Sequence, residues 1–377
     1  MKRTATLILL ILSFALRAQN LVPNPSFESY VNCPQGTNEI PMVGNPVSSL
    51  SDWTTPTLST SDYFHTCSPA GGPFSFAVPV NRFGYQQPHI GNAYVGGIID
   101  NVDTGSYYYR EFIQAQLLSP LITGHHYHVS YWTALAEKAD LVPLQPPTAT
   151  DQLGAFFDTT YRQYFNIDPL SNLIPQVTSP NGVFLNDTAN WMMVSGSFTS
   201  ADNYTWMIIG KFTPTNLLNA QVLGNAPVSR SYYYYDDVCV LDLDGPATVA
   251  GVFDTTLCNN ATITLAGSSY MSVHSWDNGS TAPDRVISQP GTYWRKYVNA
   301  NTCILSVDTF RVSGIKPLDV HIGNDTALCT GDSLMLSATT IAGTYQYHWS
   351  TGAATPTLTV GAAGTYFVRV YNDCYEG

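Results

Sequence analysis

Apolar and polar residues alternate with a period of two in six segments of the first 244 residues. Every second side chain in such a segment faces the same way, which is typical of β-strands with one buried face. The segments are YYYREFIQAQL from Tyr107, HYHVSYWTALA from His126, QLGAFFD from Gln152, WMMVSGSFT from Trp191, YTWMIIGKF from Tyr204 and YYYYDDVCVLDL from Tyr232. Turn-rich stretches such as PAGGP separate them. Six strands with wide loops between them predict a jelly-roll β-sandwich over residues 20–244.

Residues 254–374 contain one small module twice. The copies share, in order, DTTLC and DTALC ending at Cys258 and Cys329, then Trp276 and Trp349, then GTY from Gly291 and Gly364, then Cys303 and Cys374. The two cysteines of each copy are 45 residues apart, and the copies are offset by 71 residues. A unit of this length suits a small β-sandwich, and a tryptophan near a disulfide is typical of immunoglobulin-like cores. We therefore expect a linker at 245–251 and immunoglobulin-like repeats at 252–318 and 319–377.

The composition agrees with an all-β extracellular protein and excludes two classes of partner. The net charge of -12, with 15 Lys and Arg against 27 Asp and Glu, leaves little basic surface. Nucleic acids and anionic membranes both require basic surface, so neither is an expected partner. The many Tyr and Gly residues and the scarcity of helix-forming sequence favour strands. The predicted fold class is all-β: a jelly roll followed by two tandem immunoglobulin-like repeats.

The N terminus has the features of a secretory signal peptide. Lys2 and Arg3 precede an apolar run from Leu7 to Leu16, and Ala18 provides a small residue at the expected cut. The run is too short for a stable membrane anchor, and no second apolar stretch of membrane-spanning length follows. The sequence thus predicts a signal peptide at 1–18 and an exported chain without a direct membrane span.

Seven cysteines in an exported chain indicate disulfides. The matched spacings predict one bridge inside each repeat, Cys258 with Cys303 and Cys329 with Cys374. Cys33 and Cys67 are close enough in sequence to form a third bridge. Cys239 lies in the apolar run VCVLDL, which favours a buried free thiol that packs as a small hydrophobic residue.

Several segments together resemble a known family of surface proteins. NLVPNPSFESYVNCP from Asn20, DYFHTC, GYQQPHIGNAYVG, YREFIQAQLLSPLITGHHYHVSYW and YYDDVCV resemble the N-terminal jelly-roll region of secreted surface proteins from gliding, type IX-secreting bacteria. WSTGAATPTLTVGAAGTYFVRVYNDC is similar to the immunoglobulin/PKD-like repeats that precede a gliding-motility-associated sorting domain. The resemblance implies a cell-surface or secreted location. Members generally end in a sorting domain, and the segment after Cys374 does not match one, which leaves the mode of attachment open.

A more distant resemblance concerns jelly-roll carbohydrate-binding modules that begin with an FE-containing segment and end with a DDV strand. In those modules the Glu and an Asp of the last strand help to hold a structural calcium ion. Carried over to this chain, the resemblance implies Glu28 with Asp236 or Asp237 as ligands, and carboxylate oxygens are ligands that calcium prefers. The alternative is that these carboxylates are solvated residues at a strand edge. No other cofactor is expected.

The same modules bind sugars with aromatic rings and planar polar groups. Strand alternation places Tyr108, Arg110, Gln114 and Gln116 on one side of their strand, and His128 and Trp132 on one side of the next predicted strand. If these strands are neighbours, a glycan cleft is lined by Tyr108, Arg110, Gln114, His128 and Trp132. The alternative is an ordinary hydrogen-bonded outer face of a sheet.

Other candidate chemistry is weaker. His125, His126 and His128 resemble a metal site, but a zinc ion needs further ligands that no nearby spacing supplies. The chain contains no GxSxG, no HExxH and no glycine-rich phosphate loop.

We therefore expect an exported, non-enzymatic surface protein whose jelly roll binds a polysaccharide or cell-surface glycan, with the repeats as spacers. The competing interpretations are a purely structural or protein-adhesion role, and an accessory part of a secreted polysaccharide-degrading enzyme.

Overall fold

The computed structural model describes residues 20–42, 49–72, 75–101, 109–138, 140–141, 144–165, 170–214, 219–224, 230–258, 261–266, 271–299 and 301–377. The predicted signal peptide at 1–18 and Tyr108 lie outside these residues. The chain divides into two compact units, Met1–Pro246 with Ala300–Leu305, and Ala247–Asn299 with Ser306–Gly377. The regular elements of the described residues are β-strands, so the predicted all-β fold class is confirmed.

The described residues of the first unit form sixteen strands. They are β1 (Trp53–Thr54), β2 (Asp62–His65), β3 (Val80–Asn81), β4 (Gly84–Tyr85), β5 (Ala93–Asn101), β6 (Ile113–Gln116), β7 (His126–Leu135), β8 (Asp140–Leu141), β9 (Leu144–Gln145), β10 (Thr148–Thr150), β11 (Leu153–Asp158), β12 (Val177–Thr178), β13 (Met192–Thr199), β14 (Trp206–Lys211), β15 (Ala220–Val222) and β16 (Arg230–Asp242). Each of the six segments with period-two alternation contains one of these strands.

Two five-stranded antiparallel sheets form the sandwich of the first unit. The strand orders are β1-β6-β14-β11-β12 in sheet A and β13-β7-β16-β5-β2 in sheet B. The core between the sheets contains Tyr127, Val129 and Tyr131 of β7 and Ile113 and Ala115 of β6. Alternate residues of the same strands therefore lie on the two outer faces, where a ligand or another part of the chain can cover them.

The outer face of each sheet is partly covered by loops that carry their own apolar cores. On sheet B, Phe64, Tyr94, Tyr232 and Tyr234 pack with Phe83, which belongs to the segment between β2 and β5. On sheet A, Phe112, Ile208 and Phe212 pack with Leu170. These extra layers explain why the tyrosine run of β16 is buried on both faces, although alternation predicts one exposed face.

The two sequence repeats have the same strand topology. Repeat 1 contains β17 (Thr248–Thr256), β18 (Ile263–Leu265), β19 (Met271–Trp276), β20 (Arg285–Ile287), β21 (Gly291–Asn299) and β22 (Ile304–Ser313). Repeat 2 contains β23 (Lys316–Pro317), β24 (Leu334–Ser337), β25 (Gln346–Trp349), β26 (Thr357–Val360), β27 (Val368–Tyr371) and β28 (Tyr375–Glu376). β23 precedes the boundary at 318/319 that the sequence predicts, and it belongs to repeat 2 because it pairs with β28. Each has a four-stranded sheet, β17-β22-β21-β19 or β23-β28-β27-β25, and a two-stranded sheet, β18-β20 or β24-β26. The first four residues of β17 fall within the segment 245–251 that the sequence assigns to a linker.

Equivalent hydrogen bonds define the cores of both repeats. The buried Trp276 donates from its indole nitrogen to the Ala282 carbonyl at 2.9 Å, and Trp349 donates to the Thr355 carbonyl at 2.8 Å. The tyrosine of each GTY sequence donates its hydroxyl to a carbonyl four residues earlier, at Gln289 or Ala362. The conserved spacing in the sequence therefore corresponds to a shared immunoglobulin-like core around each tryptophan.

The disulfide pattern differs from the expected one at two of the three bridges. The structure pairs Cys33 with Cys67, Cys239 with Cys303 and Cys258 with Cys374, and leaves Cys329 as an exposed free thiol. The predicted bridges Cys258–Cys303 and Cys329–Cys374 are thus wrong, as is the expectation that Cys239 is free.

Strand direction explains this error. β17 and β22 run parallel, with Thr248 opposite Ser306 and Thr256 opposite Ser313. Cys258 follows the end of β17, whereas Cys303 precedes the start of β22, so these two cysteines lie at opposite ends of the strand pair. Eight residues of strand span roughly 26 Å, far beyond the Cα separation that a disulfide allows. The equal spacing of the cysteines in the two repeats shows that they occupy equivalent positions, and it does not show that the two cysteines of one repeat are bonded.

Candidate functional site

Gln114, His128 and Trp132, which are predicted to line one glycan cleft, lie on two different sheets of the sandwich. β6, which carries Gln114, pairs with β1 and β14 in sheet A. β7, which carries His128 and Trp132, pairs with β13 and β16 in sheet B. The sequence prediction required β6 and β7 to be neighbours, and they are not, because the chain crosses to the other sheet between them. Gln114 therefore does not share a cleft with His128 and Trp132. Tyr108, the fifth predicted residue, lies outside the described residues.

Arg110 and Gln114 hold loops against sheet A. The Arg110 side chain is 1% exposed, and its Nη1 donates to the Lys211 carbonyl at 3.0 Å and to the Thr213 carbonyl at 2.7 Å. Burial lowers the pKa of this guanidinium, and the negative charge of Asp100 opposes that effect. Gln114 is fully buried and donates from Nε2 to the Arg162 carbonyl at 2.9 Å. Arg110 therefore holds the end of β14 and the residues after it, and its buried side chain is not exposed to a ligand.

On sheet B, Trp132 packs against a loop of the protein itself. Its ring stacks on the His89 ring with a centroid distance of 4.1 Å and an interplanar angle of 20°. The indole nitrogen of Trp191 donates to the Gln87 carbonyl of the same loop at 2.8 Å. His128 is buried on the same strand as Trp132. One face of the Trp132 ring is thus occupied by an intramolecular stack and is not open to a sugar ring.

The three predicted calcium ligands surround that same loop. Glu28 Oε1 accepts hydrogen bonds from the backbone N–H groups of Asn92 and Ala93 at 2.7 and 2.9 Å. Asp236 Oδ2 accepts from the His89 N–H at 2.9 Å, and Asp237 is paired with the His89 ring. Burial, and then the charge of Asp237, raise the pKa of Asp236.

These carboxylates do not form a compact ligand set. Within the described part of the chain, the group of three potential ligands whose donor atoms lie within 4.8 Å of one another is His125, Asp242 and Asp244, and it does not include Glu28, Asp236 or Asp237. Glu28 contacts Asn92 and Ala93, whereas the two aspartates contact His89. Their positions are explained by N–H donors of the loop, and calcium stays a prediction that melting experiments can test.

The outer face of sheet A carries a different cleft. It has a volume of about 440 Å³, and Asp52, Thr54, Gln116, Leu118 and Trp206 are among the residues that line it. Trp206 is opposite Gln116 in the register of β14 and β6, and Thr54 is opposite Gln114 in the register of β1 and β6. Residues opposite each other in antiparallel strands share a face, so an indole ring, two amides and a hydroxyl lie together on this surface.

Two oxygen atoms of this surface have unused hydrogen-bonding capacity. The Gln114 Oε1 and Thr54 Oγ1 atoms are buried and have no partner within the described residues. A buried polar atom without a partner costs free energy, and the cost is removed when a ligand hydroxyl or a water molecule reaches it. Gln114, which the sequence assigned to a glycan site, is opposite Thr54 but fully buried beneath the segment that carries Arg162, and it does not line the cleft.

The segment after β11 packs against Trp206, one of the residues that line the cleft. The Tyr161 ring, which is 41% exposed, contacts the Trp206 ring at a centroid distance of 4.8 Å. The Arg162 side chain forms an ion pair with Asp158 and donates to the Tyr164 hydroxyl at 2.8 Å. The Tyr164 N–H donates to the Pro56 carbonyl at 2.8 Å, which anchors this segment beside β1. The aromatic pair is therefore held in place before any ligand arrives.

Sequence reasoning missed Trp206 and Tyr161. Alternation in YTWMIIGKF places Trp206 and Ile208 on one face and Met207 and Ile209 on the other, and the structure buries the second pair in the core. The alternation in the sequence does assign Trp206 to an outer face. It does not indicate that Gln116 lies beside Trp206, because that depends on the pairing of β14 with β6. Strand order in a jelly roll is set by contacts between residues far apart in the sequence, and local alternation does not encode it.

The buried acids Asp62 and Glu111 have structural partners. Asp62 accepts a hydrogen bond from the Tyr232 hydroxyl at 2.8 Å, and Glu111 accepts from the Ile98 N–H at 2.7 Å and the Thr60 hydroxyl at 2.8 Å. Burial raises the pKa of both carboxyl groups, and the charge of Glu111 adds to the effect at Asp62. Both side chains are less than 5% exposed, so they are not placed to act on a substrate.

No helix long and apolar enough to cross a membrane occurs in the described part of the chain. No protein-family model matches the chain. No curated protein sequence matches it.

Several solved structures are similar in fold. The K1 cleaved adhesin domain of Lys-gingipain from Porphyromonas gingivalis is 10% identical, with a TM-score of 0.27 over 57% of this chain and 94% of that chain. A putative sugar binding protein from Bacteroides thetaiotaomicron is 10% identical, with a TM-score of 0.25 over 59% of this chain and all of that chain. The CBM22 and GH10 modules of a Clostridium thermocellum endo-1,4-beta-D-xylanase, solved with xylohexaose, are 11% identical, with a TM-score of 0.24 over 45% of this chain. The match spans 28% of that xylanase chain.

Proposed function

We propose that this protein is an exported, non-enzymatic surface protein that binds a glycan in the cleft on sheet A. The immunoglobulin-like repeats act as spacers that present this cleft. The resemblance to surface proteins of gliding, type IX-secreting bacteria supports the location at the cell exterior. The observation that carries the proposal is the Trp206 ring, which lies beside Gln116 and Tyr161 at an open cleft of about 440 Å³.

The chemistry of the cleft suits a sugar ring. The apolar face of a pyranose stacks on an indole ring, while its hydroxyls require donors and acceptors at the edge of the stack. Gln116 and Asp52 are exposed at the cleft, where the amide can donate or accept and the carboxylate can accept hydrogen bonds from sugar hydroxyls. The cleft is shallow, and its polar groups are few, so we expect modest affinity that depends on the aromatic contact.

Charge favours a neutral polysaccharide. Asp52 lines the cleft, Asp158 lies opposite Trp206, and the Asp158 charge is already paired with Arg162. The chain carries a net charge of -12, which repels uronic-acid polymers at low ionic strength. Neutral hydroxyls can instead donate to the Asp52 carboxylate. We therefore expect binding to neutral glucans, xylans or galactans and weak or no binding to alginate or polygalacturonate.

Affinity gel electrophoresis of the full exported chain tests this function. Neutral polysaccharides should retard the wild-type protein, and Trp206→Ala should reduce the association constant about tenfold, because loss of a stacked ring removes about 1–1.5 kcal/mol. Trp294→Ala is the matched control, since Trp294 is a 36% exposed tryptophan of β21 in repeat 1. Retardation that Trp206→Ala leaves unchanged, with folding intact by circular dichroism, rules out this cleft.

The same gels address the competing functions. A protein that no plant, algal or bacterial polysaccharide retards is better explained by protein adhesion or a structural role. The accessory-module interpretation predicts binding to one polymer together with a catalytic domain in the same reading frame, which genomic sequence can establish.

A further inference from the structure

The start of β7 and the end of β16 bring together side chains that can bind a metal ion. His125 directly precedes β7, Asp242 is the last residue of β16, and Asp244 follows it by two residues. His125 and Asp242 are 117 positions apart, so no motif search along the sequence could join them. One nitrogen of His125 and one oxygen each of Asp242 and Asp244 lie within 4.8 Å of one another.

We propose that His125, Asp242 and Asp244 form a binding site for a divalent transition-metal ion such as Zn²⁺ or Ni²⁺. The sequence suggested a histidine-based metal site here but lacked further ligands, and the two aspartates supply them. A mixed set of one imidazole and two carboxylates suits zinc, nickel or cobalt. It does not suit calcium, which takes oxygen ligands only.

The distance between His125 and Asp242 agrees with one shared ion, and Asp244 lies within reach of it after a small side-chain adjustment. His125 Nδ1 is 2.9 Å from Asp242 Oδ2, which is the distance of a hydrogen bond that shares one proton. Two donors that bind one zinc ion at about 2.0 Å lie about 3.3 Å apart in a tetrahedral array and about 2.8 Å apart at a right angle. The ion therefore replaces the shared proton with little movement of either side chain, and the proton leaves to solvent.

Neighbouring hydrogen bonds hold both carboxylates in place. Asp242 Oδ1 accepts from the N–H groups of Asp244 and Gly245 at 2.9 and 3.2 Å, which leaves Oδ2 directed to His125. Asp244 Oδ2 accepts from the N–H and Nδ1 of His126 at 2.7 and 2.9 Å. Such outer contacts orient metal ligands and raise affinity, so His126 is a positioning residue and not a fourth ligand.

The backbone around these side chains is fixed by both neighbouring strands. The Ser200 N–H donates to the His125 carbonyl at 2.9 Å, and the Leu243 N–H donates to the His126 carbonyl at 2.8 Å. The His125 and Asp242 side chains retain exposures of 35% and 22%, and that of Asp244 is 40%. A hydrated ion can therefore reach a preformed set of ligands and complete its coordination with water.

Isothermal titration of the full, untagged chain with ZnCl₂ and NiCl₂, after treatment with a chelator, tests the site. We expect one ion to bind per chain with an affinity that His125→Ala or Asp242→Asn reduces at least tenfold. The matched control is His321→Ala, because His321 forms an exposed pair with Asp319 at 3.1 Å but belongs to no group of three ligands in the described residues. Equal binding by wild type and both site variants, or equal loss in the control, overturns the proposal.

Cobalt spectroscopy of the wild-type chain gives a measurement that needs no variant. A Co²⁺ ion bound by imidazole and carboxylates should give visible absorption bands that one equivalent of Zn²⁺ abolishes and that excess Ca²⁺ leaves unchanged. A chain that gives only the spectrum of hydrated Co²⁺ contradicts the proposal whether or not the variants fold. Because the proposed glycan cleft lies on sheet A, failure of this test leaves the proposed function unaffected.

Discussion

The Cα atoms of Cys258 and Cys374 lie 4.4 Å apart, and a disulfide joins the two residues across 116 positions of the sequence. Cys258 occupies the early position of repeat 1, and Cys374 occupies the late position of repeat 2. The late position of repeat 1, Cys303, is bonded to Cys239 of β16. The second cysteine of repeat 1 is therefore bonded to β16, and the second cysteine of repeat 2 is bonded to repeat 1. Cys329 holds the early position of repeat 2 and is free.

Peptide mapping under non-reducing conditions should find this pattern in exported protein. Cys239 should be linked to Cys303 and Cys258 to Cys374, and Cys329 should be the cysteine that reacts with a thiol reagent before reduction. The exposure of Cys329 favours rapid labelling. Recovery of a Cys258–Cys303 peptide would instead establish bridges inside single repeats and contradict the parallel-strand argument.

The bridge between the repeats should contribute strongly to stability. Closing a loop of 116 residues stabilises the folded state by about 4–5 kcal/mol on the chain-entropy estimate. Cys374→Ser should therefore lower the melting temperature of the repeats by on the order of 10 °C. Cys329→Ser, at the equivalent of Cys258, is the matched control and should change the melting curve little. Similar curves for Cys374→Ser and wild type would show that the bridge constrains little in the unfolded chain.

Sequence reasoning located strands better than it located partners. Alternation identified β7 and β14 because the period of two follows from the local geometry of each strand. The cleft prediction joined Gln114 to Trp132 because their strands are consecutive in the predicted order, yet the chain changes sheet between them. The cysteine prediction failed for the same reason, since spacing does not specify whether two strands run parallel. Pairing and direction depend on long-range contacts, and a single sequence contains no direct signal for them.

Trp132→Ala should destabilise the first unit without weakening glycan binding. Its ring stacks on His89 and is half-buried, so its removal should cost on the order of 2 kcal/mol. Thermal melting and affinity gels on the same preparations separate the two effects, with Trp206→Ala as the reciprocal variant. Reduced retention together with an unchanged melting temperature would restore Trp132 to the sugar-binding surface.

Asp62→Asn should remove part of the pH dependence of stability. Burial raises the pKa of Asp62 in the folded state, so the folded chain binds more protons than the unfolded chain at pH values between the two pKa values. Stability is then highest below the ordinary aspartate pKa of about 4 and falls as the pH rises through the folded pKa. The asparagine cannot ionise and still accepts the Tyr232 hydrogen bond, so the variant should gain stability relative to wild type as the pH rises.

Melting curves at several pH values measure this difference. Asp319→Asn serves as the control, because it makes the same chemical change at a side chain that is 83% exposed. A constant offset between Asp62→Asn and wild type from pH 3 to pH 8 would show that Asp62 does not titrate differently on folding.

Glu28→Ala should lower the melting temperature of the first unit whether or not calcium is present. The Glu28 carboxylate accepts hydrogen bonds from the backbone N–H groups of Asn92 and Ala93. The first bond is exposed and the second is part-buried, so their loss should cost about 1 kcal/mol each. If calcium also binds there, as the resemblance implies, calcium should raise the melting temperature of wild type by mass action, and Glu28→Ala should abolish that rise. Melting in calcium and in chelator, for wild type and variant, distinguishes the outcomes. Superimposable wild-type curves together with a destabilised variant would leave Glu28 as an anchor of the loop alone, and a variant as stable as wild type would contradict both roles.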